Sequence, residues 1–143
     1  MKIIDEFCDE GILKGEDVLF QCVDNYTPRN YKKFTLISDD DFKKILNEAD
    51  VVVAHAGTGT VTSTLKLQKK LILFPRLVEY GEHGDNHQLD LCNLFESQNY
   101  VMVAKNKEEL KSCLLGISSF NPKPFISNND NINEIILNYL KTI

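Results

Sequence analysis

One run in the middle of the chain restricts its folding options most. Ala49-Asp50-Val51-Val52-Val53-Ala54 carries no polar residue after Asp50, and it leads straight into His55-Ala56-Gly57-Thr58-Gly59-Thr60. β-Branched residues suit strands, and an apolar run without alternation suits a strand covered on both faces. The Gly/Thr turn that follows ends the strand and opens a helix. A strand with two apolar faces needs a covering layer on each side, which is the arrangement of an α/β domain.

The rest of the chain repeats this alternation. Ile3, Ile4, Phe7 and Cys8 recur at helical spacing over residues 2–10. Residues 17–22 read as a buried strand, 26–30 as a loop and 34–37 as a second short strand. Ser38 followed by Asp39, Asp40 and Asp41 marks a helix start that runs to about Glu48. After the central strand at 49–54 come a helix over 60–69, a buried strand at 71–74 stopped by Pro75, and a polar loop at 76–85. A helix at 86–97, a strand at 100–103 and a helix at 106–115 opened by Asn106 follow. Residues 116–131 are a loop, and Asn131 caps a last amphipathic helix with Ile132, Ile135, Ile136, Tyr139 and Leu140. Helices between fully apolar strands indicate a Rossmann-like parallel sheet with helices on both faces. The 143 residues suit one domain, and 43% hydrophobic content suffices for its core.

Charge excludes one class of partner. The formal net charge is −5 and the arginines are Arg29 and Arg76 alone. Binding to a nucleic-acid backbone needs a clustered positive face, so no nucleic acid is expected. A small phosphorylated ligand remains compatible, because backbone N–H groups hold phosphate without net positive charge. Cys8, Cys22, Cys92 and Cys113 form no CxxC pair and read as reduced, mostly buried residues of a cytoplasmic protein. Met1-Lys2-Ile3-Ile4-Asp5-Glu6 is charged too early for a secretion signal, and no apolar run approaches the ~20 residues of a membrane span.

Polar special residues gather in two places. His55, His83 and His87, with Gly57, Gly59, Gly81 and Gly84, lie in or beside the loops after the strands at 49–54 and 71–74. In open parallel sheets, ligands bind beyond the carboxyl ends of the strands. The turn at Gly57–Thr60 exposes helix N-terminal N–H groups that attract an anion, although it is neither a Walker loop nor GxGxxG. A tight turn that merely needs glycine is the plain alternative. The second loop, Pro75 through Gln88, packs Arg76, Glu82, His83, Asn86, His87 and Gln88 close together, with groups able to donate to or accept from sugar hydroxyls. His83 and His87 stand four apart, as zinc ligands on a helix do, but Gly81 and Gly84 oppose a helix through His83 and no HExxH pattern exists. No metal is expected.

At these two loops the chain resembles the C-terminal domain of MurG-type glycosyltransferases of family 28. It is most similar to the small PssE/EpsF-type subunits of bacterial capsule and exopolysaccharide synthesis. The resemblance covers about residues 2–116 and is most specific at Ala49 through Thr60 and at Pro75-Arg76 through Gly81-Glu82-His83-Gly84-Asp85-Asn86-His87-Gln88. It implies a GT-B half-domain that binds a UDP-sugar without metal or other cofactor. Gly57, Thr58, Gly59 and Thr60 would then face the diphosphate, and Asn86, His87 and Gln88 the sugar or phosphate, with His55, Ser63, Arg76, Glu82 and His83 also in the nucleotide-sugar site. It further implies a membrane-anchored partner subunit carrying the acceptor site and the catalytic base. Sugar transfer would be inverting, to a lipid-linked acceptor at the inner face of the plasma membrane.

Three departures from the family pattern stand out. The chain starts at the first helix, so one strand–loop unit of the family is expected to be missing. Ser63 stands where the family has an acidic residue for the ribose. Gln68-Lys69-Lys70 stands where a Gly- and Pro-containing turn is usual. The first two keep a second reading open, an inactive or truncated binding or regulatory subunit. A Rossmann-like interaction module without ligand is a third, opposed by the clustering of His and Gly at one sheet edge.

Overall fold

The computed structural model describes residues 2–23, 25–75, 87–126, 137–138 and 141, the His87 side chain excepted. In chain order the elements are α1 (Lys2–Asp9), a 3-10 turn (Gly15–Asp17), β1 (Leu19–Gln21), β2 (Lys32–Phe34), α2 (Asp39–Glu48), β3 (Val51–Ala54) and α3 (Thr58–Lys66). They continue with β4 (Lys70–Leu73), α4 (His87–Ser97), β5 (Met102–Val103), α5 (Lys107–Gly116) and a 3-10 turn (Ile117–Ser119). β1 and β2 form one parallel pair, and β3, β4 and β5 form a second parallel sheet in that order.

The middle strand of the second sheet organises the core. Leu71, Ile72 and Leu73 of β4 are each 0% exposed. Successive strand residues point to opposite faces. Leu71 and Leu73 join Val61 and Leu65 of α3 and Leu91, Cys92 and Phe95 of α4. Ile72 joins Ile4 and Phe7 of α1 and Leu110 and Cys113 of α5. Each face of the sheet thus has its own helix layer, and each such buried side chain contributes roughly 1.5–3 kcal/mol. Burial also pushes the Cys92 thiol up to about 12, leaving it inert at neutral pH.

Several elements differ from their sequence expectation. The central place belongs to β4, not β3: among the described residues β3 pairs with β4 alone, and Val53 is 42% exposed. Apolar character reports that a strand's faces are covered; it does not report how many edges are paired. The buried strand expected at 17–22 shortens to Leu19–Gln21, with Leu19 49% exposed. Gly15 in the preceding turn presses on the chain, since a Cβ there would meet the Asn30 carbonyl oxygen at 1.7 Å. The strand expected at 34–37 moves to Lys32–Phe34, because the register pairs Gln21 with Phe34 and the Cys22 N–H donates to Phe34 at 2.9 Å. Leu36 beyond it is 83% exposed. α3 starts two residues earlier than expected, at Thr58, and β5 shrinks to Met102–Val103. Two of the cysteines, Cys92 and Cys113, are buried, while Cys8 and Cys22 are only partly so. The helix expected from Asn131 lies largely outside the described residues, of which Leu137, Asn138 and Lys141 are helical.

The capped starts agree with expectation. Ser38 Oγ accepts from the Asp41 N–H at 3.1 Å, and Asn106 Oδ1 from the Glu109 N–H at 2.9 Å. The Gln68 turn works by another device than glycine. Gln68 adopts φ 55°. Its side-chain amide donates to the Phe125 carbonyl at 2.6 Å and accepts from the Phe125 N–H at 3.1 Å. Phe125 is thereby held in the core against Tyr100, ring centroids 5.6 Å apart. No helix among the described residues is long and apolar enough to cross a membrane.

A buried carboxylate ties α1 to the loop between β1 and β2. Asp5 is 1% exposed. It accepts from the Tyr26 hydroxyl and from the Arg29 and Asn30 N–H groups, the last at 2.9 Å. Asp9 adds bonds to the Arg29 guanidinium at 2.7 Å and the Asn30 amide at 2.9 Å. Burial pushes the Asp5 carboxyl up, but the hydrogen bonds outweigh it and hold the group below the ordinary aspartate range. A depressed folded value means stability that is complete above the unfolded value and lost as pH falls through the folded one. Asp5→Asn should therefore lower Tm at neutral pH and flatten the acid limb of the Tm–pH curve. Thermal unfolding between pH 2 and 8 checks this, and an unchanged acid limb would contradict it.

Candidate functional site

Both candidate loops leave neighbouring parallel strands by their carboxyl ends. β3 ends at Ala54 and α3 begins at Thr58; β4 ends at Leu73 and α4 begins at His87. α3 and α4 share one core cluster on the same face of the sheet. Their N-termini therefore emerge at the same sheet edge, the position at which open α/β sheets bind ligands.

The first loop is short and tight. The Phe74 N–H donates to the Ala54 carbonyl at 2.8 Å, so the ladder runs to the end of β3. The Gly57 N–H then turns back on the His55 carbonyl at 2.7 Å. The His55 imidazole lies over Gly57: a Cβ there would come within 2.9 Å of Nε2. Ala56 and Val61 are buried anchors on either side, and the Thr64 hydroxyl back-bonds to the Thr60 carbonyl at 2.7 Å. These contacts hold the turn while His55, Thr58, Gly59 and Ser63 are exposed and Thr60 is partly so. Gly59 and Ser63 are four apart and so share one helix face.

The start of α3 lacks what the starts of α2 and α5 have. α2 opens with a side-chain cap and three acidic residues in its first turn, and α5 with a cap and Glu108 and Glu109. The N-cap of α3 is Gly57, which offers no side chain, and its first turn contains no acidic residue. The first helical bond runs from the Val61 N–H to the Gly57 carbonyl at 3.1 Å. The N–H groups of Thr58, Gly59 and Thr60 precede it and have no helical carbonyl to bond. Nothing lies within 4 Å of a Cβ added at Gly59, so packing does not require glycine there. The arrangement is a partial positive charge of about half a unit at the sheet edge, with bare backbone in front of it.

The second loop is described in part. Gln88 is partly buried in the first turn of α4, and His87 opens that helix. Arg76, Glu82, His83 and Asn86, expected in the same cleft, lie outside the described residues. Among the described residues no group of three or more His, Cys, Asp and Glu side chains could hold a metal ion. A depression lined by Leu65, Lys69, Tyr100 and Phe125 lies by the end of α3 and contains no candidate residue.

Comparison with known proteins follows this geometry. The model of the glycosyltransferase family 28 C-terminal domain matches residues 13–139. A UDP-N-acetylglucosamine transferase subunit ALG13 from Debaryomyces hansenii is 28% identical over 106 residues, covering 69% of this chain and 50% of that protein. Its counterpart from Kluyveromyces lactis is 40% identical over 78 residues, 54% of this chain and 38% of that protein. A UDP-N-acetylglucosamine–N-acetylmuramyl-(pentapeptide) pyrophosphoryl-undecaprenol N-acetylglucosamine transferase from Clostridium botulinum is 28% identical over 111 residues, 73% of this chain and 30% of that protein. The chain thus spans half or less of the length of these relatives. The solution structure of ALG13 superposes with a TM-score of 0.62 at 23% identity, over 92% of this chain and 83% of that one, which shows the shared fold. Sequence, topology and the helix terminus at the sheet edge converge: this chain belongs to the glycosyltransferase family 28 C-terminal domain family.

Proposed function

We propose that the chain is the UDP-sugar-binding subunit of a two-part inverting glycosyltransferase that transfers a hexose to a lipid-linked polysaccharide precursor. The observation that carries this reading is the start of α3, exposed, uncapped and free of acidic side chains, in a family of sugar-nucleotide transferases. The relatives named as UDP-N-acetylglucosamine transferases support a UDP-sugar donor, and those named as subunits support a two-part enzyme. The pyrophosphoryl-undecaprenol transferase supports a lipid-linked acceptor.

In this mechanism the diphosphate sits on the N–H groups of Thr58, Gly59 and Thr60, with hydroxyls of Thr58 and Thr60 beside it. Arg76, Glu82, His83, Asn86, His87 and Gln88 line the sugar side, and Ser63 faces the ribose. The acceptor hydroxyl attacks the anomeric carbon from the face opposite the diphosphate. The bond to the diphosphate oxygen breaks as the new one forms. Negative charge grows on the diphosphate, where a preorganised helix terminus stabilises it in place of a metal ion. The hydroxyl proton passes to a base on the membrane-anchored partner, which holds the acceptor across the cleft at the inner face of the plasma membrane. Ser63 favours a second reading, a binding or regulatory subunit of the same lineage. A serine bonds a ribose hydroxyl without the charge that strengthens such a bond.

Gly59 separates fold from function. An alanine there meets open space and replaces a glycine in the first turn of a helix, so Gly59→Ala should leave stability unchanged or raise it by up to about 1 kcal/mol. Its methyl group stands where the diphosphate approaches, so UDP affinity should fall at least about tenfold, or ~1.4 kcal/mol. Calorimetric titration with UDP and thermal unfolding test the pair; full affinity in the variant would remove the diphosphate site. In the same titration Gln88→Ala should weaken UDP-N-acetylglucosamine more than UDP, and equal losses would remove its sugar role.

The two-part reading makes a separate prediction. Radiolabelled sugar from a UDP-sugar should reach a lipid-linked acceptor when chain and partner subunit are mixed, and not with the chain alone. Robust turnover by the chain alone would contradict it.

A further inference from the structure

We infer that residues 120–126 form a strap that opens and closes as one unit across the amino ends of β4 and β5, held by the amides of Gln68 and Asn99. The inference goes beyond the proposed UDP-sugar site and does not depend on it.

The strap carries the chain from one face of the larger sheet to the other. Phe120 packs against the cluster of α1 and α5, and Phe125 belongs to that of α3 and α4. Between them the chain has no helix or strand. It passes the α4–β5 turn at Asn99 and the α3–β4 turn at Gln68. Closed, the strap sets the face from which the chain continues after Ile126.

Both turns are built around a residue that holds the strap. Gln68 has φ 55° and Asn99 φ 59°, and among the described residues these are the two non-glycine residues with a left-handed backbone. A helix that ends this way commonly takes glycine, which adopts the conformation without strain. Glycine carries no amide side chain. The Gln68 amide pairs with both backbone groups of Phe125, as a neighbouring strand would. The Asn99 carbonyl accepts from the Lys123 N–H at 2.8 Å, and its side-chain amide donates to the Asn121 carbonyl at 3.2 Å. The same two residues thus bear the strain of the turns and make the strap's hydrogen bonds.

Little else holds the segment. Phe125 alone among its residues is buried, and Ile126 is 71% exposed. Pro122 and Pro124 have no N–H to donate. The Lys123 ammonium stands 5.9 Å from the Tyr100 ring centroid, a weak contact at an exposed residue. A depression lined by Pro122 and Phe125 of the strap and by Leu65 and Tyr100 interrupts the packing beneath it. Opening breaks these contacts and none of the bonds that pair β4 with β3 and β5, so both sheets stay folded.

Amide hydrogen exchange of the full chain, followed by NMR, tests this. The Lys123 and Phe125 amides report the strap; those of Phe74 and Ala104, bonded to the Ala54 and Leu73 carbonyls, report the sheet. Corrected for intrinsic rates, the strap pair should exchange at least about a hundredfold faster than the sheet pair. Gln68→Gly keeps the left-handed turn and removes the side-chain amide, and should speed both strap amides at least about tenfold. Ile72→Val, in the cluster of α1 and α5, should speed the sheet pair and leave the strap pair unchanged. Three results would overturn the inference: all four amides exchanging alike, Gln68→Gly moving one strap amide without the other, or Ile72→Val speeding the strap pair as much as the sheet pair.

Discussion

Leu71 and Leu73 face one helix layer and Ile72 faces the other, and this division determines where the remaining elements lie. A strand with both faces buried cannot sit at the surface, so helices must return across it on each side. Parallel strands joined by helices on one face then start those helices at the same edge. The starts of α3 and α4, after β3 and β4, are placed at one edge by this constraint. The Gln68–Phe125 clamp and the Asp5 cluster brace the structure away from that edge or beside α1, while the start of α3 is held by Ala56, Val61, the Gly57–His55 turn and the Thr64 back-bond.

The start of α3 gives up stability that α2 and α5 keep. A side-chain cap is worth about 1 kcal/mol and an acidic first turn a few tenths more. Ser38 and Asn106 show that this chain uses both devices where nothing else competes for the helix terminus. Local rules that are obeyed at α2 and α5 and broken at an exposed helix start are what the proposed ligand site rests on. On that proposal an anion from outside supplies the charge that an aspartate supplies at α2.

Much of this was legible in the sequence because it rests on local chemistry. Ser38 with its acidic turn, Asn106, the Val51–Val53 run and the Gly57–Thr60 turn each state their structure within a few residues. The parallel sheet with two helix layers follows from apolar strands alternating with amphipathic helices. What was not legible depends on distant partners. The shift of β2 to Lys32–Phe34 is set by register against β1, and the exposed edge of β3 depends on which strands are its neighbours. The burial of Asp5 depends on Tyr26, Arg29 and Asn30, more than twenty residues along the chain. Gln68 reads as a poor replacement for glycine until Phe125 meets its amide. At the candidate site, His55, Thr58, Gly59 and Ser63 are exposed at or just after the end of β3, whereas Arg76, Glu82, His83 and Asn86 lie outside the described residues.

The central claim is that the helix terminus after β3 holds the diphosphate of a sugar nucleotide. Backbone NMR of the isotope-labelled chain titrated with UDP tests it most directly, because the proposed ligands are themselves amide N–H groups. The account predicts saturable shifts centred on Gly57, Thr58, Gly59 and Thr60, with a second group at Ser63 and Gln88 and none along α5. Saturable binding that leaves Thr58–Thr60 unmoved, or that maps to the opposite edge around Gln68 and Tyr100, would contradict it.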